Sequence, residues 1–108
     1  MNDTTIPPAL RAIIAAELLA TCMAEPTAPH ASRTIGGRAS AVTLTRGNCM
    51  AGWRWGLTLE AAQPIAPHEA DLWAAAVGAP STDWWRTHEG RRWHCEWTEA
   101  RQATAGSS

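Results

Sequence analysis

The sequence predicts an α+β fold: a small antiparallel β-sheet of three to four strands in two hairpins, with two helices packed on one face, in the order α-β-β-α-β-β. Two alternating segments and two helical periodicities carry that prediction. From Cys49 to Leu59 the residues Cys49, Ala51, Trp53, Trp55, Leu57 and Leu59 alternate with Met50, Gly52, Arg54, Gly56, Thr58 and Glu60, the period-2 pattern of a half-buried strand. Trp93, Cys95 and Trp97 alternate in the same way with Arg92, His94, Glu96 and Thr98. One face of the sheet is therefore heavy in tryptophan and needs a layer of helix over it.

The first helix is expected over Pro7 to Met23. Pro7 and Pro8 suit a first helical turn, and Thr4 and Thr5 are candidate caps upstream. Leu10, Ile13, Ile14, Leu18 and Cys22 recur at helical spacing, joined by Leu19 and Met23, with Arg11, Glu17 and Thr21 as polar breaks. So wide an apolar surface exceeds what one small sheet covers, which favours a homodimer. Pro26 and Pro29 then open a loop reaching to about Gly36-Gly37.

A strand is expected from Ser40 to Arg46 with Val42 and Leu44 buried, turning at Gly47-Asn48 into the Cys49 to Leu59 strand. Pro64 and Pro67 close this segment. A second helix from Pro67 to Val77 follows, with Glu69 and Asp71 near its start, Gly78 and Pro80 after its end, and a stripe of Leu72, Trp73, Ala76 and Val77. Ser81 to Gly90 fits either a short helix capped by Ser81 or Thr82, giving α-β-β-α-α-β, or a hairpin. A turn at His88-Glu89-Gly90 that sets Trp85 beside Trp93 on one face favours the hairpin. Residues 1–101 read as a single α+β domain, and 102–108, without periodicity, as a flexible C-terminal tail.

Composition limits the function classes. The chain has 108 residues, 45% hydrophobic and 18% charged, with a net charge of -1, which is neither the basic balance of a strong nucleic-acid binder nor an acidic mimic of DNA. All seven aromatic residues are Trp and all nine basic residues are Arg, the bias of a GC-rich bacterial or phage gene. Cys22, Cys49 and Cys95 each fall on an apolar pattern, which reads as reduced thiols in a cytoplasmic protein rather than a disulfide framework. Leu19-Ala20-Thr21-Cys22 is a poor lipoprotein cleavage box, since Asp3 stands where a basic residue is needed and Glu17 interrupts the apolar run. That run is also short for a membrane span.

No pattern points to catalysis, a metal or a cofactor. Cys49, His88, His94 and Cys95 are the densest set of metal-ligating types, but they lack the paired spacing of a zinc site, and the adjacent His94 and Cys95 point to opposite faces of a strand. A thiol interleaved with Trp lacks the electropositive setting of a nucleophile. Glu60, Glu69, Asp71 and Glu96 fit solvated carboxylates. The expectation is therefore a protein that is not an enzyme.

The uncovered face of the sheet is the better candidate. Arg54, Arg86, Arg92 and His94 are expected there, with Trp84 across from His94, as a partner-binding set. Arg and Trp together form the hot spots of protein interfaces, and they also stack bases and neutralise phosphates in nucleic-acid binding. An Arg lying over Trp can equally be a surface cation–π pair that binds nothing. The function expected is that of a small protein–protein interaction protein, an accessory or inhibitor protein of a phage or mobile element, of anti-defence or anti-CRISPR type. A nucleic-acid-binding module using the Arg/Trp face is the alternative.

Overall fold

The computed structural model describes residues 7–24, 30–34, 41–49, 52–80 and 83–100, with the side chains of His30, Ala31, Asn48, Cys49 and Ala100 outside that description. The expected caps Thr4, Thr5, Ser81 and Thr82, the loop at Gly36-Gly37 and the tail 102–108 lie outside the described residues. Within them the chain runs α1 (Pro8–Ala24), β1 (His30–Thr34), β2 (Ala41–Cys49), β3 (Gly52–Glu60), α2 (Pro67–Ala76), β4 (Trp85–Thr87) and β5 (Arg92–Ala100). The strands form one antiparallel sheet in the order β1-β2-β3-β5-β4. The fold is α+β, with the helices on the tryptophan-bearing face.

Three details differ from the sequence reading. The sheet has five strands rather than three to four, because His30–Thr34, expected to be loop, pairs with β2. An edge strand held by main-chain bonds on one side needs no alternation of apolar residues, so its sequence carries little signal. The first hairpin does not turn at Gly47-Asn48: those residues pair with Arg54 and Trp53, and Cys49 pairs with Gly52, so β2 runs past the expected turn. The second hairpin forms as expected but one residue out of register, with Trp85 opposite His94 and Arg86 opposite Trp93. Its connection is longer than a tight turn, a 3-10 turn at His88–Gly90 with left-handed backbone at His88, Glu89 and Gly90.

A single apolar cluster joins Ile14, Leu18 and Cys22 of α1, Val42 and Leu44 of β2, Trp55, Leu57 and Leu59 of β3, Trp73 of α2, and Trp93 and Cys95 of β5. Burial picks a narrower stripe of α1 than its composition implies. Arg11, Ile14, Ala15, Leu18 and Cys22 are buried, while Ile13 stays 55% and Met23 58% exposed. In α2 the stripe is rotated from the expected one. Glu69, Ala70, Trp73 and Ala74 face inward and Leu72 points outward. The buried Cys22 thiol donates to the Leu44 carbonyl at 3.3 Å, fixing α1 over β2. Gly78, at φ 82°, follows the Val77 C-cap of α2 in the left-handed conformation that glycine adopts without strain.

Candidate functional site

Side chains alternate across a strand, so the partners of the core residues populate the other face of the sheet, which neither helix covers. From β2 come Thr43 and Thr45, from β3 Arg54, Gly56, Thr58 and Glu60, from β5 Arg92, His94 and Glu96, and from β4 Trp85. Gly56 sits near the middle of this face. A Cβ there would stand 2.8 Å from Thr45 Oγ1 and 3.4 Å from His94 Cε1, so its bare backbone lets those two side chains close over it.

A connected polar network crosses β3 and β5. Thr58 Oγ1 lies 2.7 Å from His94 Nδ1, and His94 Nε2 lies 2.9 Å from Glu96 Oε2. A carboxylate only accepts, so the ring donates from Nε2 to Glu96, while Nδ1 and the Thr58 hydroxyl share the second hydrogen bond. Glu96 also accepts from Arg54 at 3.3 Å, while Arg92 pairs with Glu60 at 3.3 Å. The hydrogen bond from His94, then the charges of His94 and Arg54, hold the Glu96 carboxyl below its ordinary value. Trp85 lies nearly parallel to the His94 ring, with centroids 5.5 Å apart and planes 13° apart, and is itself 58% exposed.

A hydroxyl, an imidazole and a carboxylate in line meet part of the geometry of nucleophilic catalysis. Acyl transfer also needs donors aimed at a developing oxyanion. Here β3 lies between β2 and β5, so its N–H groups are committed to the two ladders, and the Trp85 ring covers His94. The arrangement is suited to holding an aromatic surface rigid. Among the described residues no group of three or more His, Cys, Asp or Glu could hold a metal ion, and no helix is long and apolar enough to cross a membrane.

Of the residues expected at this face, Arg54, Arg92 and His94 are on it. Trp84 and Arg86 are not. The one-residue change of register moves both to the helix side, where Trp84 meets Trp93 edge-on at 5.7 Å and donates from Nε1 to Asp71 of α2 at 3.0 Å. Arg86 stands 5.4 Å from the Trp93 ring centroid. The same slip brings Trp85 to the open face, which the sequence reading missed, since a shift of one residue exchanges the two faces of a strand. Thr58, Glu60 and Glu96 were legible on that face from alternation alone, but not as the ion-pair and hydrogen-bond partners of its Arg and His.

Comparison of the chain with protein-family models, with curated proteins and with solved structures finds no match.

Proposed function

We propose that this chain is a non-enzymatic binding protein that engages another protein through the open face of its sheet. The observation that carries the reading is the exposed Trp85 ring stacked on a His94 ring, itself fastened on both nitrogens by Thr58 and Glu96. A pre-positioned aromatic group bordered by Arg54 and Arg92 has the composition of an interface hot spot and loses little freedom on binding. The pairing of Arg54 with Glu96 and of Arg92 with Glu60 supports a protein partner over nucleic acid, because both guanidinium groups already face carboxylates. A face of this kind masks or bridges its partner and leaves it chemically unchanged.

The test is affinity capture from a bacterial lysate with the wild-type chain and with Trp85→Ala, each with and without nuclease. A stoichiometric protein that survives nuclease and is lost with Trp85→Ala supports the proposal. Retention of that protein by Trp85→Ala overturns the assignment of the face. Loss of all captured material on nuclease treatment turns the reading to nucleic acid.

A further inference from the structure

On the opposite side of the sheet, the C-terminal ends of both helices stop short of the ends of β3 and β5 and leave a groove of about 430 Å³. Its walls include Leu19 and Met23 of α1, Val77 beyond α2, and the rings of Trp55 and Trp97, which lie parallel within 1° at a centroid distance of 6.0 Å. The volume is that of a site for a small molecule, and the lining is apolar and aromatic.

We propose that this groove binds a small organic cation with an apolar body, such as an arylalkyl amine. Three features give it one sign of charge. Glu99 is the one ionisable group among the described residues that line it. Its Oε1 accepts from Trp55 Nε1 at 2.9 Å, which fixes the carboxylate against the aromatic wall of the groove. Both helices end at the groove without a basic residue in the last turn, so the negative ends of two helix dipoles reinforce Glu99. The indoles add negative ring faces that attract an ammonium group. Arg46, which stands over Trp53 and Trp55, is not among the lining residues, and Trp97 is the ring the cation would meet. An anionic ligand would find no described cation on these walls.

The experiment follows the indole N–H signals of isotope-labelled protein during titration with phenylbutylamine, its uncharged analogue phenylbutanol and its anionic analogue phenylbutyrate. The signals of Trp55 and Trp97, assigned with single Trp→Phe variants, are expected to shift saturably with the amine. They are expected to respond at least about fivefold more weakly to the alcohol and not at all to the carboxylate. Glu99→Gln keeps an oxygen that accepts from Trp55, so the wall is preserved, and this variant is expected to bind the amine no better than the alcohol. Equal affinities for amine and alcohol in the wild type, amine binding unchanged by Glu99→Gln, or no saturable shift at Trp55 and Trp97 would each overturn the proposal.

Discussion

Arg46 holds its guanidinium carbon 3.7 Å from the centroid of the Trp53 ring. The ladder sets Arg46 opposite Trp55 and Asn48 opposite Trp53, so the arginine reaches diagonally across the strands and also lies 5.4 Å from the Trp55 ring. It is only 9% exposed, and its Nε has no hydrogen-bond partner among the described residues. Two indole faces lie against this cation, and its methylene stem is buried with it.

Length and apolar contact should therefore matter more than charge at this position. Arg46→Met is expected to change stability by less than about 1.5 kcal/mol, as volume-conserving replacements do. Arg46→Ala, which removes the stem and opens a cavity, is expected to cost about 2 to 3 kcal/mol. Urea unfolding midpoints of the two variants check the order. A Met variant as unstable as the Ala variant would show that the charge itself is required.

Gly56 occupies the point on the open face where Thr45 and His94 come nearest, and its φ is not left-handed, so packing alone excludes a side chain there. Gly56→Ala is expected to destabilise by about 1 kcal/mol through the 2.8 Å approach to Thr45 Oγ1. Adding Thr45→Ala removes the obstructing hydroxyl and should recover most of the loss, a non-additivity readable in a double-mutant cycle. Additive losses would place the cost elsewhere.

The Glu96 carboxyl is held below its ordinary value near 4.5 by the hydrogen bond from His94, followed by the charges of His94 and Arg54. A carboxyl that binds its proton more weakly when folded adds stability that is complete above its unfolded pKa and disappears as pH falls through its lower native value. Wild-type stability should thus decline below about pH 4.5, and Glu96→Gln should flatten that part of the curve. Chemical denaturation at a series of acidic pH values gives the comparison, and identical slopes in the two proteins would contradict it.

Cys95 is enclosed in the core, and burial first, then the charges of Glu96 and Asp71, pushes its thiol up to about 12. The thiolate is the reactive form, so Cys95 in the folded protein should resist iodoacetamide at pH 8 and become alkylated when denaturant is present. Peptide mapping by mass spectrometry follows the site. Alkylation of Cys95 in native buffer, faster than unfolding, would refute its enclosure.

The alternation of Trp55, Leu57 and Leu59 and of Trp93 and Cys95 was sufficient to identify both central strands, because burial on one face leaves period-2 spacing in the chain. Register was harder to read. Nothing in the sequence distinguishes a tight turn at His88-Glu89-Gly90 from the longer one observed, and that single residue decides whether Trp84 or Trp85 reaches the open face. Arg11 reads as a polar break and is buried, while Ile13 reads as core and is exposed. Which of two adjacent helix faces turns inward depends on the packing partner, not on hydrophobicity alone. Three of the five residues expected on the open face lie there, and the two that do not moved together as members of one strand and its approach. The ion-pair network was hidden because Glu60 and Glu96 lie far from Arg92 and Arg54 in sequence or on a neighbouring strand.

The pairing of β3 with β5 spans the whole of α2 and β4, joining Glu60 to Arg92 at one end and Gly52 to Ala100 at the other. Local assembly can bring β2 against β3, yet Trp55, Leu57 and Leu59 border an open strand edge until the distant β5 docks beside them. Closing that long segment comes before Trp93 and Cys95 can join the core, which makes it the natural slow step in folding. In the interval, the edge of β3 that carries Trp53 and Trp55 is exposed to pairing with another copy of the chain.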